Sequence, residues 1–322
     1  MNNLAIFSGT GNRELTKDIC DYIGVRASEA AISHFPDGET MVKIEDDVRG
    51  QDCFVVQPTC TPVNINIMEL LIFIDCLRRA SAKSITVVVP YYGYARQDRK
   101  TEGRTPITAR MVADLLTWSG ASRVLTMDLH ASQIEGFFNM PVDHLTAFPA
   151  VLSYLKSNIP LEDITILSPD VGNMKMGDKY AQELNVDLSV IDKRRINGEE
   201  AEATKLVGDV EGKHVLMFDD MISTAGTICS AATMAMDSGA KKVSVFATHG
   251  LFTGPAYDRL INGKINAIYV TDTVPLNKQI KEMKNPKVEV ISVAKLLGEA
   301  ILRIYQDRSV SVLLKSDYEN NM

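Results

Sequence analysis

No stretch of this chain is long and apolar enough to span a bilayer. The most apolar run, "MELLIFIDCL", is broken by Glu69 and Asp75 and falls well short of the ~20 residues a membrane helix needs. The start, "MNNLAIFSGTGNREL", lacks a basic stretch followed by an apolar one, so no signal peptide is expected. The five cysteines (Cys20, Cys53, Cys60, Cys76, Cys229) are scattered and include no C-x-x-C pair. That excludes a zinc knuckle and gives no disulfide framework; reduced, buried thiols in a cytoplasmic protein are the expectation. Positive charge is not in excess: the formal net charge is −7, which argues against a nucleic-acid binder. There is no G-x-x-x-x-G-K-[ST] stretch, and Gly9 and Gly11 do not complete G-x-G-x-x-G. They read as a turn. Any phosphate chemistry must therefore come from local clusters rather than from a P-loop or from bulk charge.

What is present is ordinary globular material. Of 322 residues, 45% are hydrophobic and 23% charged, enough apolar mass for two domains or one large one. Short β-branched runs ("LAIF", "CFVVQ", "ITVVVP", "RVLTMDL", "ITILSP", "LSVID", "HVLMF", "KVSVFATH", "AIYVTD", "VEVISV") alternate with helical patterns ("NIMELLIFIDCLRRASA", "ITARMVADLLTWSGAS", "MGDKYAQELN", "TICSAATMAMDSGAK"). Continuous apolar strands between helices predict an α/β fold with parallel sheets. "SGASRVLTMDLHAS" (119–132) and "SGAKKVSVFATHGL" (238–251) share one plan. Each ends a helix on Ser-Gly-Ala and closes a strand on His130 or His249. Either two related halves or a common helix–glycine–strand joint explains the echo. A boundary is expected within 146–160, where Pro149 and Pro160 bracket a helix.

In parallel α/β sheets, ligands bind outside the carboxyl ends of strands. After "VLMF" come Asp219 and Asp220, then Ser223, Thr224, Ala225, Gly226 and Thr227 leading into a helix. Small side chains admit a ligand close to the backbone, and free amides at a helix start attract an anion. Carboxylates beside such a cradle suit a sugar phosphate, accepting hydroxyl hydrogen bonds while the amides hold phosphate. A plain strand–helix turn is the alternative. Alternation along a strand further predicts unequal parts for Asp219 and Asp220. After "LSVI" come Asp192, Lys193, Arg194 and Arg195, either a solvated patch or cations for a polyphosphate transition state. Asp128 and His130 end one strand and Asp170 follows another, positions that suit metal or phosphate ligands. "HFPDGET" (34–40) offers Phe35, Asp37 and Glu39 to a purine, and "PYYGYARQDRKTEGR" (90–104) offers Arg96, Gln97, Asp98 and Arg99 to phosphates.

Taken in order, "FPDGE", "VRGQD", "MELLIFIDCLRRASA", "PYYGYARQDRK", "DLHASQIEGFF", "SPDVG", "IDKRR" and "DDMISTAGTI" closely resemble the ribose-phosphate pyrophosphokinase (phosphoribosyl-pyrophosphate synthetase) family over nearly the whole chain. The resemblance implies an α/β fold of two similar type I phosphoribosyltransferase-like domains, each a mostly parallel sheet flanked by helices. Residues 1–148 would form the ATP-side domain, with regulatory and oligomer contacts. Residues 149–304 would form the ribose 5-phosphate domain, and 305–322 a segment packing back on the first. The activity implied is transfer of the diphosphoryl group of MgATP to the C1 hydroxyl of ribose 5-phosphate, for nucleotide biosynthesis. Matching positions put Phe35, Asp37, Gly38, Glu39, Arg96 and Gln97 on ATP, and His130 and Asp170 on Mg²⁺. They put Lys193 and Arg195 in a mobile catalytic loop, and Arg195, Asp219, Asp220 and 223–227 on ribose 5-phosphate.

The family also implies a homohexamer built from dimers, with "FPDGE" reaching a neighbour's site. It points to Arg49, Ser81, Arg104, Ser309 and Ser311 as regulatory positions, and to neither nucleic acid nor membrane as a partner. The chain departs from the family's S-P-D-x-G-G-x-x-R at Asn173 and Met176, and carries Ser223 where many members have Asp. Asn tolerates a left-handed backbone best after Gly, which would preserve the turn. A phosphoribosyltransferase would use the 219–227 loop but not "FPDGE" or "YARQDRK". A non-catalytic relative is countered by the intact Lys193, Arg195, His130 and Asp219–Asp220.

Overall fold

A computed structural model describes residues 3–196 and 201–315, and divides the chain into two compact units. The first unit comprises Met1–Pro149, Asp272–Pro275 and the chain from Ser292 on; the second comprises Ala150–Thr271 and Leu276–Ile291.

The first unit runs β1 (Leu4–Ser8), α1 (Arg13–Ile23), β2 (Ala30–His34), β3 (Thr40–Ile44), β4 (Asp52–Val56), α2 (Val63–Arg79), β5 (Ser84–Val89), α3 (Thr108–Ser119), β6 (Arg123–Met127) and β7 (Val142–Leu145). Five strands form one parallel sheet in the order β1-β4-β5-β6-β7. Alternate residues of these strands (Ala5, Phe7, Val55, Val87, Val89) pack with Leu70, Phe73 and Leu77 of α2 and with Val112 and Leu116 of α3. β2 and β3 form a separate antiparallel ladder. Neither was read in the sequence, because their residues are half-buried or exposed and carry no continuous apolar run.

The second unit runs α4 (Phe148–Asn158), β8 (Ile164–Ser168), α5 (Met174–Leu184), β9 (Leu188–Ile196), β10 (Ala201–Val207), β11 (His214–Ile222), α6 (Gly226–Asp237), β12 (Lys242–Gly250), α7 (Ala256–Ile261), β13 (Ala267–Thr271), α8 (Lys278–Lys281) and β14 (Lys287–Ile291). Its sheet has the order β10-β9-β8-β11-β12-β13-β14, and only the β9–β10 pair is antiparallel. Across it runs a row of stacked rings. Tyr180 of α5 lies 3.7 Å from Phe218, Phe218 lies 5.2 Å from Phe246, and Phe246 lies 4.5 Å from Tyr269. Phe218, Phe246 and Tyr269 are register partners on adjacent strands, so the stack pins the register of β11, β12 and β13. The "IDKRR" segment, expected in a loop, is the second half of a nine-residue strand paired with β10.

After β14 the chain returns to the first unit as α9 (Ala294–Tyr305), which packs on α1. Contact is close at Gly298, where a Cβ would stand 2.6 Å from the Tyr22 ring. A buried ion pair, Arg303 Nε to Glu299 Oε1 at 2.7 Å, leaves the Arg303 guanidinium to donate to the Ser309 carbonyl at 3.2 Å. Among the described residues no helix is long and apolar enough to cross a membrane. All five cysteines are free; Cys20, Cys53 and Cys60 are buried, and burial pushes their thiols up to about 11, 12 and 11, out of the nucleophilic range. Cys76 and Cys229 are only half-buried, short of the burial expected for all five.

Gly9 and Gly11 gain a physical reason. The Glu69 carboxylate, fully buried on α2, accepts from the Thr10 amide (2.7 Å), the Thr10 hydroxyl (2.7 Å) and Gln57 Nε2 (2.9 Å). Gln57 Oε1 in turn accepts the Gly11 amide at 2.8 Å. A Cβ on Gly9 would sit 2.3 Å from Gln57 Oε1, so the β1–α1 loop is glycine-rich to let this polar plug approach. Replacing Glu69 by Ala strands two of its three donors without their carboxylate. We expect a loss of roughly 2–4 kcal/mol in the first unit's stability, read as a lowered midpoint in thermal and urea denaturation. Glu69→Gln should lose less.

Candidate active site

In the second unit the order of strands reverses between β8 and β11: the chain leaves β8 toward β9 and leaves β11 toward β12. Loops that part in opposite directions open a crevice at the carboxyl ends of these two strands. Asp170 follows β8, and Asp219 and Asp220 lie near the end of β11. Three of the candidate carboxylates thus sit at one topological switch point. Asp170 Oδ1 accepts the Asn173 amide at 2.9 Å, and its own carbonyl accepts from Ser168 Oγ at 2.7 Å. Asp219 Oδ1 accepts the Asp220 amide at 2.9 Å and Asn173 Nδ2 at 3.0 Å.

The small-residue loop joins the same crevice. Ala225, at φ 60° and ψ 7°, is the residue before α6 and has no side-chain oxygen to cap it. The amides of the first turn of α6 are therefore left without a side-chain acceptor, as an anion site requires. Arg259 of α7 donates from Nη1 to the Thr224 carbonyl at 3.0 Å, and would crowd any side chain on Gly226, whose Cβ would lie 3.1 Å away. The Ser223 hydroxyl meets that of Thr253 at 3.1 Å, and the Thr253 amide donates to the Ser223 carbonyl at 2.9 Å. Arg259 and Thr253 were not read from the sequence, since only the fold brings them to this loop. Lys193 and Arg195 lie on β9, in register with Thr204 and Glu202 of β10. Their side chains lie outside the described residues.

In the first unit the rim is built by the segments after β5 and β6. Arg96 and Gln97 line a 450 Å³ cleft with Tyr91, Tyr94, Asn64 and Val63. The Gln97 amide donates to the Tyr94 carbonyl, and the Tyr94 hydroxyl donates to Asn64 Oδ1 at 2.5 Å. Gln133 Nε2 bonds Asp98 Oδ2 at 2.8 Å, tying this segment to the one that carries His130. His130 is exposed just beyond β6. Its turn is clamped on both sides of Leu129. Asp128, at φ 37°, accepts the Ala147 amide at 2.9 Å, and the Leu129 amide donates to His144 Nε2 at 2.9 Å. Accepting at Nε2 puts the His144 proton on Nδ1, which donates to Glu135 at 2.5 Å. No local motif marks His144 or Glu135 in the sequence.

Phe35, Asp37, Gly38 and Glu39 occupy the β2–β3 turn. The Gly38 amide donates to the Phe35 carbonyl at 2.8 Å and Gly38 takes φ 93°, so Pro36 and Gly38 shape the tip. All four are exposed; Phe35 keeps 50% of its surface, an aromatic ring that its own unit does not bury. Among the described residues no three His, Cys, Asp or Glu side chains gather into a metal cage.

One sequence expectation changes here: Asn173 has φ −87° and ψ 0°, so the turn needs no left-handed residue. The adjacent carboxylates Asp219 and Asp220 feel each other's charge. Burial first, and then the neighbouring charge of Asp220, push the Asp219 carboxyl up to about 7, while the Asn173 hydrogen bond pulls it back. The β11–β12 register passes from Asp219–Ala247 to Met221–His249 and skips Asp220.

The N-terminal domain of ribose phosphate pyrophosphokinase matches residues 4–120, and the phosphoribosyl synthetase-associated domain matches 195–315. The ribose-phosphate pyrophosphokinase of Rhodopirellula baltica is 49% identical over 317 residues, covering 98% of this chain and 99% of that one. That of Thermotoga maritima is 47% identical over 316 residues, with the same coverage. The crystal structure of phosphoribosylpyrophosphate synthetase from Mycobacterium smegmatis superposes with a TM-score of 0.88 at 40% identity, over 95% of this chain and 99% of that one.

The raised Asp219 carboxyl makes a stability prediction whose sign is fixed. With a folded value near 7 against an ordinary 3.8, the native chain holds more protons than the unfolded chain between those limits. Stability therefore falls as pH rises through that window. Asp219→Asn removes the effect. Its stability advantage over the parent should widen as pH rises from about 4 to about 8, measured by denaturant unfolding of the ligand-free protein. A gap that stays constant with pH would contradict the assignment.

Proposed function

The chain belongs to the ribose-phosphate pyrophosphokinase family, and on that premise we propose how its residues divide the reaction. The protein transfers the diphosphoryl group of ATP to ribose 5-phosphate, giving 5-phospho-α-D-ribose 1-diphosphate and AMP. The C1 hydroxyl oxygen of the sugar attacks the β-phosphorus in line. The bond from that phosphorus to the oxygen bridging it to the α-phosphorus breaks, AMP leaves, and the hydroxyl proton is released. The observation that carries the site assignment is the crevice between β8 and β11, where two strand-end carboxylates face an uncapped helix start. Asp219 and Asp220 accept hydrogen bonds from the ribose hydroxyls. The amides over 223–227 hold the 5-phosphate.

ATP enters on the side of the first unit, with Arg96 and Gln97 on its phosphates. Magnesium would be carried in with ATP; His130 and Asp170 would help hold it, and it would supply charge that neutralises the negative charge of the transferred group. Lys193 and Arg195 stabilise that same charge, with Arg195 also reaching ribose 5-phosphate. The exposed Phe35 tip, with Asp37, Gly38 and Glu39, takes the adenine of a neighbouring copy's ATP. The enzyme works as a homohexamer built from dimers in the cytoplasm, on small molecules and away from nucleic acid. Exposed apolar side chains support self-association. Met111, Leu115 and Trp118 recur at helical spacing on α3, Trp118 is 81% exposed, and α2 beside it shows Ile65 and Met68.

Incubation with MgATP and ribose 5-phosphate should yield AMP; a phosphoribosyltransferase would not make it, and its absence would sink the reading. Lys193→Ala and Arg195→Ala should each slow AMP formation by about 100-fold or more. Light scattering after gel filtration should give a mass several times the 35.5 kDa of one chain, and Trp118→Glu should lower it. An unchanged mass would remove the α3 face from the assembly.

A further inference from the structure

Asn173 is one of three positions, with Met176 and Ser223, at which this chain departs from the family pattern. That pattern usually has a glycine there; this chain places an amide. It begins α5, yet its side chain makes no capping hydrogen bond to the helix. Asparagine at such a position normally turns back to accept an amide of the first turn. Here Nδ2 instead crosses to β11 and donates to Asp219 Oδ1 at 3.0 Å, 46 residues along the chain. Its backbone amide meanwhile donates to Asp170 Oδ1 at 2.9 Å. One residue therefore holds both strand-end carboxylates, Asp170 with its main chain and Asp219 with its side chain. Nothing in the backbone demands asparagine: φ is −87°, open to any residue. A glycine would keep the amide bond to Asp170 and lose the bond to Asp219.

The second link has a chemical consequence. Asp219 Oδ1 already accepts the Asp220 amide at 2.9 Å. With Asn173 added, that oxygen receives two donors, which fixes the plane of the carboxyl group. A neutral donor also offsets part of the repulsion from Asp220 without bringing a cation that would compete for the sugar phosphate.

We propose that Asn173 is a positioning residue for ribose 5-phosphate, orienting the Asp219 carboxylate through the Nδ2–Oδ1 hydrogen bond that spans the β8–β11 crevice. The inference rests on the sugar-phosphate reading of that crevice given above. It is specific to this chain's asparagine, and it makes Asn173 act through Asp219 rather than on the substrate.

The test uses the full chain and three variants. Asn173→Asp is isosteric and cannot donate, Asn173→Ala removes the side chain, and Asn173→Gly restores the family's residue. Steady-state AMP formation is measured with each substrate varied in turn, and ribose 5-phosphate binding is measured separately by calorimetry. In the Asp and Ala variants, KM and Kd for ribose 5-phosphate should rise about tenfold, as expected on losing a hydrogen bond to a charged group. KM for ATP should stay within about twofold, and thermal unfolding should show intact folding. Asn173→Gly should follow Asn173→Ala. Equal rises in both KM values, or a ribose 5-phosphate KM and Kd that do not move, would overturn the role. If the parent bound ribose 5-phosphate but made no AMP, the reaction assignment would fail while the binding comparison still judged Asn173. If the parent did not bind the sugar phosphate at all, the crevice reading and this inference would fall together.

Discussion

The candidate site of the second unit follows from one topological constraint, the reversal of strand order between β8 and β11. Parallel neighbours whose connections run the same way cover each other's ends. Where the connections part, the strand ends stay open and their last residues face a crevice. Two carboxylate segments and a helix start can share that space only because nothing crosses it. The aromatic row beneath supports the arrangement. Tyr180, Phe218, Phe246 and Tyr269 stack across three strands and α5, so β11 keeps its register up to the residue before Asp219. Close to the crevice, burial then raises the Asp219 carboxyl. A site that must hold charge in a half-buried place needs donors, and the Asp220 amide and Asn173 supply them.

The first unit is built from similar strand–helix parts without that reversal. Its strands lie in chain order, β1-β4-β5-β6-β7. No switch point opens, and its candidate residues sit in loops tied down one by one: Gln133 to Asp98, His144 to the Leu129 amide, and Asp128 to the Ala147 amide. The echo between 119–132 and 238–251 corresponds to one shared joint. In both copies a helix, α3 or α6, is followed by a glycine with positive φ, Gly120 at 116° and Gly239 at 91°, and then a strand. The joint repeats while the strand order differs, and the chemistry follows the order.

The readability of the sequence tracks how far each signal extends along the chain. Ten strands were legible because each is a run of apolar or β-branched residues with its own periodicity. β2, β3, β7 and β10 were not: the antiparallel β2, β3 and β10 have mixed polarity and take their identity from their partners, and β7 is a four-residue edge strand holding Asp143 and His144. The same division holds at the site. Asp219, Asp220 and the small residues after them form one continuous segment and could be read as a unit. Asn173, His144 and Glu69 act on partners 46, 15 and 59 residues away, and no local pattern announces such a pair. Asn173 is legible as a departure from the family's usual glycine, but its φ of −87° rules out a left-handed turn as the reason. Its role is in its side chain.

Backbone strain gives an independent view of where the molecule is constrained. Among the described residues, nine other than glycine take positive φ. Three of them, Ser81, Asn185 and Asp307, come one or two residues after helices α2, α5 and α9, where a left-handed exit is an ordinary way to end a helix. Five others lie in segments that leave the carboxyl ends of strands: Tyr94 and Arg104 after β5, Asp128 after β6, Ala225 after β11 and Phe252 after β12. No helix ends there to account for them. Tyr94 lines the cleft with Arg96, Asp128 precedes His130 by two residues, and Ala225 begins α6 beside the crevice. A side chain in this region costs about 1–3 kcal/mol, and it persists only where its surroundings over-determine it. Here the determinants are on hand: the Tyr94–Asn64 bond, the clamp around Leu129, and Arg259 on the Thr224 carbonyl. Strain, hydrogen-bonded clamps and candidate ligands thus coincide at the strand ends of each unit, as expected if these rims are shaped for ligands rather than for stability alone.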